Sequence, residues 1–285
     1  MFVVFDGTVS AWDRRGRDPA HDMALTQQML RRCGADNTFA FLRVSQGHRS
    51  VAFGSSDLVR AGADAAIRRA NAAGFPAIRR LVGGNAVVFD EGSLRVELGV
   101  PAADPRTGMR DRFAFMTDLI ATAVQSLGVE VVAGEPAHSY CPGEFSLMTR
   151  TPSRPTDVET ASSAHSTRSG IPDPIPLAAG KVVGVAQRIV KGAVLISATI
   201  TAERRESSVD LLTEVYDALG LVFSPTSVGQ IGIDPGLVTR AIKATAAQRM
   251  RLVPWEPDPM LIARADETAG RFALGRPVSE EDPHP

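Results

Sequence analysis

The chain has 285 residues, 44% of them hydrophobic and 22% charged, and its 31 basic and 32 acidic side chains leave a net charge of −1. That is the balance of a soluble globular protein, long enough for one large domain or a large and a small one. The near-zero charge supplies no field for nucleic acid, and no uncharged apolar run reaches the roughly 18 residues of a membrane span. Two cysteines make no disulfide framework, so we expect a cytoplasmic protein with neither nucleic-acid nor membrane partners. The five histidines are scattered, and no metal site is expected.

The opening MFVVFDGTVSAW lacks a basic head and is interrupted by Asp6, which favours a first strand over a leader. HDMALTQQMLRRCG (21–34) spaces Met23, Leu25, Met29, Leu30 and Cys33 as a helix face, with Gly34 as its stop, so Cys33 is predicted to be core. TFAFLRVS alternates as a strand, and VAFGSSD reads as a strand running into a turn. Residues 58–73 form a helical pattern ended by Gly74 and Pro76. AIRRLVGGNAVVFDEGSLRVELGV then gives two β-rich runs, expected to form a hairpin around Asp90-Glu91-Gly92. Residues 112–127 form an amphipathic helix stopped by Gly128, and VEVVAG a strand.

Residues 150–180 hold five serines, four threonines and five prolines, the composition of a long, mobile surface loop. KVVGVAQRIV and AVLISATITA follow as paired strands around Lys191-Gly192. From 207 the pattern turns helical, in SVDLLTEVYDAL and PGLVTRAIKATAAQRM, and VSEEDPHP reads as a frayed tail. These elements predict an α+β fold, a mixed, largely antiparallel sheet flanked by helices. A catalytic domain over 1–206 and a small, mostly helical region over 207–285 are expected.

Common cofactor loops are absent. Gly180-Lys181 has no glycine five residues upstream and no Ser or Thr after it, GQIGIDPG (229–236) has the wrong spacing for a dinucleotide site, and no G-x-S-x-G occurs. Only three of the 31 basic residues are lysines, Lys181, Lys191 and Lys243, so a lysine here marks a place where a compact ammonium matters.

Two stretches carry more. In RRLVGGNAVVFDEGSL (79–94), Gly83 and Gly84 let backbone approach a ligand, and Arg79 and Arg80 offer fork donors for phosphate or carboxylate. In GKVVGVAQRIVKGAVLISATI (180–200), Lys181 begins a strand with Gly184 three residues on. Read blandly, they are a glycine-containing strand entry and a hairpin lysine. In this order and spacing they resemble the two motifs of the lipoate-protein ligase A and octanoyltransferase family, within the biotin/lipoate-protein ligase superfamily, over residues 20–205. The resemblance implies substrate binding by Arg79, Arg80, Gly83, Gly84, Asn85, Ala86, Gly184 and Ala186, with Lys181 on an acyl carbonyl or acyl-adenylate phosphate.

Departures from the family pattern bear on the chemistry. Asn85 stands where a third glycine is common, Phe89 where a histidine is, and Ser197-Ala198 near a His-Gly pair. SYCPGEFS replaces the Arg-Asn-Asp segment of the ligases, and Cys141 aligns with the nucleophilic cysteine of one octanoyltransferase branch. Three readings follow. An acyltransferase would load Cys141 from octanoyl-acyl carrier protein and pass the acyl group to a lysine of a lipoyl-carrier domain, without a cofactor. Lys181 and Arg79 would favour its thiolate, with His138 as a possible base. A ligase would use ATP and Mg to activate free lipoate or octanoate. A diverged, non-catalytic protein would bind an acyl group or a carrier. Cys141 itself also reads as a small buried residue.

Overall fold

The computed structural model describes residues 7–12, 16–149 and 180–275. The 150–179 part of the predicted loop, the first six residues and the predicted tail lie outside the described residues. The strands are β1 (Thr8–Trp12), β2 (Ala40–Gln46), β3 (Ser50–Phe53), β4 (Ala77–Arg79), β5 (Val87–Phe89), β6 (Ser93–Pro101), β7 (Val131–Ala133), β8 (Leu147–Thr149), β9 (Gly180–Val190), β10 (Ala193–Thr201) and β11 (Arg251–Pro254). The helices are α1 (Pro19–Ala35), α2 (Ala63–Ala72), α3 (Met109–Gln125), α4 (Glu206–Leu219), α5 (Pro235–Arg249) and α6 (Pro259–Ala269).

Eight strands form one mixed sheet in the order β11-β1-β2-β6-β10-β9-β8-β7, and β4-β3-β5 form a smaller one. Most pairings are antiparallel, and β1–β2, β1–β11 and β3–β4 are parallel. Period-two alternation divides the large sheet. Leu42, Val44, Val96, Leu98, Ile196 and Ala198 pack with α3 and α5 on one face. Phe41 and Leu195 face the other layer, where α1, α4, α6 and the small sheet meet.

Asp-Pro pairs start three helices. Asp18, Asp234 and Asp258 accept from the N–H groups of His21, Leu237 and Leu261 at 2.8, 3.0 and 2.8 Å, and a proline follows each. A buried ion cluster pins α1 to β2 and β6. Asp22 pairs with Arg43 and Arg95, and Glu97 lies 3.3 Å from each of the same two guanidinium groups. Burial alone would push the Asp22 carboxyl up, but the Arg43 and Arg95 guanidinium groups and the Gly16 N–H hold it well below the ordinary range.

The hairpin β9–β10 turns at Lys191-Gly192 as expected. The one expected at 90–92 does not form: β5 pairs with β3, while β6 joins the large sheet. Asp90 folds the connection on itself, accepting from the Gly92 N–H at 2.8 Å and the Ser93 hydroxyl at 2.9 Å, and Ser208 of α4 binds its other oxygen. The glycine is needed at 92, because a Cβ there would meet the Glu203 carbonyl oxygen at 2.3 Å. Three elements were not foreseen from the sequence: β8, which pairs with β9, β11, which extends the large sheet beside β1, and α6, which packs on α1.

Candidate functional site

A cavity of about 420 Å³ opens where the loop after β4, the 134–146 loop and strands β9 and β10 converge. Its floor is the backbone of β9 at Gly184 and Ala186, opposite Thr199 and Ser197 of β10. Gly184 leaves room beside Lys181, since a Cβ there would sit 3.3 Å from the lysine Cε.

Lys181 points into this cavity with a side chain 0% exposed. Its ammonium donates to the carbonyls of Tyr140 at 3.0 Å and Cys141 at 2.7 Å, and to Glu135 Oε2 at 3.1 Å. Three acceptors thus use all three N–H bonds. Burial lowers the Lys181 pKa from lysine's ordinary value, while Cys141 and Glu135 act in the opposite direction. The Tyr140 ring lies 5.0 Å from the ammonium, and burial pushes its phenol up to about 12.

Cys141 is half-buried, and its Sγ lies 3.6 Å from Arg80 Nη1. A Cβ on Gly84, whose φ is +101°, would lie 2.4 Å from that sulfur, so the glycine gives the thiol its place. Arg80 is fixed by the Asn85 carbonyl at 2.8 Å. The Cys141 N–H donates to the Tyr216 hydroxyl at 2.8 Å, which in turn donates to the Ala86 carbonyl at 3.1 Å. One α4 side chain therefore ties the cysteine loop to the glycine loop.

Cys141, Lys181, Arg80, Gly83, Gly84, Gly184 and Ala186 all line the cavity. Four other candidates do not. Asn85 and Ala86 act through backbone carbonyls behind the wall. His138 is exposed, with its carbonyl accepting from the Ser224 N–H. Arg79 is exposed too, its N–H bonded to the Phe272 carbonyl at 2.8 Å. The guanidinium beside the thiol belongs to Arg80 and not Arg79, because successive residues leaving β4 point to opposite sides.

Several residues at the site were not singled out from the sequence. Glu135 and Tyr216 sit in segments without a motif. Gln187 and Arg188 were visible within A-Q-R and turn out to brace the walls. Gln187 donates to the Met109 carbonyl at 2.7 Å and accepts from Arg112 Nε at 3.0 Å, and Arg188 donates to the Leu81 carbonyl at 2.9 Å. Phe113 and Phe145 stack at the rim with centroids 4.8 Å apart. The site therefore combines a thiol beside a guanidinium, an ammonium at the same loop's carbonyls, and an apolar-rimmed groove.

The family model described as lipoyl protein ligase A/B catalytic domain matches residues 18–217. The chain is 30% identical over 130 residues to octanoyl-GcvH:protein N-octanoyltransferase of Geobacillus kaustophilus, a stretch covering 46% of each. It is 30% identical over 115 residues to an Aeropyrum pernix protein named provisionally as lipoate-protein ligase A, covering 40% of this chain and 41% of that one. These alignments span less than half the length of either relative. In fold, the chain matches a T. acidophilum protein solved with lipoic acid (TM-score 0.64, 16% identity, 94% of this chain and 96% of that one). It matches lipoate-protein ligase A bound with ATP similarly (TM-score 0.62, 17% identity, 94% and 95%). Since its match covers most of the chain and takes in both glycine- and lysine-bearing motifs, Cys141 and Tyr216, the chain belongs to the lipoyl protein ligase A/B catalytic domain family.

Proposed function

We propose that the chain is an acyltransferase that takes an octanoyl or lipoyl group from a carrier protein onto Cys141 and delivers it to a lysine of a lipoyl-carrier domain. The observation that carries this reading is the position of Cys141 Sγ, inside the cavity, 3.6 Å from Arg80 and on the loop whose carbonyls Lys181 holds. The Cys141 thiolate attacks the donor's acyl carbonyl, a C–S bond forms as the carbonyl's bond to the donor's leaving group breaks, and the leaving group departs as an amine protonated from solvent or, from a thioester donor, as a thiolate. The acceptor amine then attacks the thioester, the new amide loses a proton, and the Cys141 thiolate is released. The Arg80 guanidinium stands beside the attacking sulfur, and the Lys181 ammonium meets the oxygen on which negative charge develops in both steps.

The relatives' name, octanoyl-GcvH:protein N-octanoyltransferase, supports an octanoylated carrier as donor. Octanoyl-acyl carrier protein supplies the same acyl group as a thioester, with a thiolate leaving group that needs less acid assistance than an amine. The ligase reading has the Aeropyrum relative behind it. Against it, Cys141 Sγ occupies that face of the glycine loop, 2.4 Å from where a Cβ on Gly84 would sit. The test is mass spectrometry of the protein after incubation with octanoyl-GcvH or octanoyl-acyl carrier protein. A hydroxylamine-labile octanoyl adduct on Cys141, lost in Cys141→Ala together with transfer, is expected. Transfer that survives Cys141→Ala, or ATP-dependent pyrophosphate exchange with octanoate, would refute it.

A further inference from the structure

Glu135 lies outside every motif, yet its carboxylate is the meeting point of the site. It accepts from the Gly143 N–H at 3.0 and 3.1 Å and from the Ser146 hydroxyl at 3.0 Å, so it folds the turn just after Cys141. Its Oε2 also takes one of the three Lys181 hydrogens at 3.1 Å, with the lysine side chain 0% and the glutamate side chain 23% exposed. We propose that Glu135 is a positioning residue with two linked tasks: it shapes the Cys141 turn, and it keeps the Lys181 ammonium charged and aimed at the acyl carbonyl. The second task rests on the reading of Lys181 proposed above.

Lys181 sits in surroundings that disfavour its proton. Its 0% exposure removes water, and the Arg80 guanidinium in the facing wall adds a like charge. The groups that face it are Glu135, the thiol of Cys141, the phenol of Tyr140 and Arg80, and of these Glu135 is the carboxylate, at hydrogen-bond distance of 3.1 Å. Once Cys141 carries an acyl group the thiolate is gone, and Glu135 is the anion left beside the ammonium. A neutral Lys181 would lose its strength as a donor to the developing oxyanion. It would also become an amine nucleophile beside a thioester. Nζ attack would form a C–N bond, break the C–S bond, release the Cys141 thiolate and leave the acyl group on Lys181 as a dead-end amide after loss of a proton to solvent.

The test uses the scarcity of lysine. With three lysines in 285 residues, ¹³C-lysine labelling gives three Cε signals, and that of Lys181 is identified by its loss in Lys181→Met. Removing an opposing charge at hydrogen-bond distance is expected to lower the Lys181 titration midpoint in Glu135→Gln by about 1 pH unit or more, with Glu135→Asp between it and wild type. In the acylation assay the high-pH loss of Cys141 loading shifts down by the same amount in Glu135→Gln, and an alkali- and hydroxylamine-resistant octanoyl amide accumulates on Lys181. A purely structural glutamate would lower the rate equally at all pH values and leave the midpoint in place, and that result overturns the inference. Should Glu135→Gln fail to fold, an Asp variant whose midpoint equals or exceeds wild type overturns it. Because the titration needs no acyl donor, a shifted midpoint without any Cys141 adduct would sink the thioester reading while leaving the Glu135–Lys181 coupling standing.

Discussion

Gly84→Ala separates the two demands made on the glycine loop. At φ +101° an alanine pays about 1–3 kcal/mol in backbone strain. In a chain of this size, roughly 2–4 °C per kcal/mol gives a fall in the unfolding midpoint of about 2–12 °C. The new methyl would lie 2.4 Å from Cys141 Sγ, against the roughly 3.5–4 Å of a comfortable contact, so the sulfur must retreat by more than about 1 Å. It retreats from Arg80, now 3.6 Å away. A displacement of that size at a reacting atom costs up to about 10²-fold in rate. Calorimetry reads the first effect. Iodoacetamide alkylation and single-turnover octanoylation of Cys141 read the second, and both rates are expected to fall at least tenfold. Gly83→Ala is the control, because a Cβ there meets nothing within 4 Å and its stability should stay within about 0.5 kcal/mol of wild type. A Gly84→Ala protein that loses stability but loads Cys141 at the wild-type rate would refute the placement of the thiol against Gly84 and Arg80.

Tyr216→Phe removes the hydroxyl shared by the Cys141 N–H and the Ala86 carbonyl; a loss of about 1–3 kcal/mol in denaturant unfolding is expected, with kcat falling more than KM changes. Lys181→Arg keeps the charge, but a planar guanidinium cannot aim at three convergent acceptors in a fully buried site, so acyl transfer should fall as far as in Lys181→Met; retention of more than about a tenth of the activity by the Arg variant would contradict this. Asp22→Asn leaves Arg43 and Arg95 short of an anion and is expected to cost about 3–5 kcal/mol, read as a lowered unfolding midpoint. Because the Asp22 carboxyl is held below its ordinary value, its contribution is present at neutral pH and lost as pH falls from the unfolded value of about 3.9, so the acid loss of stability should be shallower in Asp22→Asn.

What the sequence disclosed of the site was its backbone framework. Gly83, Gly84, Lys181 and Gly184 are positions where size or charge is demanded locally, and the structure places them around one cavity. The choice between Arg79 and Arg80 was not legible, because it depends on which way β4 faces, and a three-residue strand shows no periodicity to read. Glu135 and Tyr216 were invisible for another reason: each serves the site by tertiary contact alone, from segments 46 residues before Lys181 and 75 after Cys141. For the fold, the Lys191-Gly192 turn gave its hairpin correctly, whereas at 90–92 the Asp90 side chain bonds its own loop and splits two runs that look paired. Helix α6 was readable from Asp258-Pro259, the same start that opens α1 and α5. Its short span, with Met260 and Ile262 exposed, obscured it.

The loop that presents the thiol is held from outside. His138 and Cys141 sit at φ +57° and +42°, where a non-glycine residue pays about 1–2 kcal/mol each. Cys141 does so immediately before Pro142, a position that favours extended backbone. The opposing restraints come from four places: Tyr216 on the Cys141 N–H, Lys181 on two successive carbonyls, Glu135 on the Gly143 N–H, and the Ser224 N–H on the His138 carbonyl. Lys181 is therefore both a strut of the strained loop and, in the proposed reaction, the donor to the acyl carbonyl. It has three hydrogens and three acceptors already, so an arriving carbonyl must displace one of them. The charged oxygen of Glu135 is the strongest acceptor of the three, which leaves the carbonyl of Tyr140 or Cys141 to be released. Loading the thiol then removes a restraint from the residues that carry it, at the stage when the acceptor lysine has to reach the thioester. In the proposed reaction, placement of the sulfur and recognition of the acyl group would compete for the same ammonium, and that competition would couple the conformation of the loop to the chemical state of Cys141.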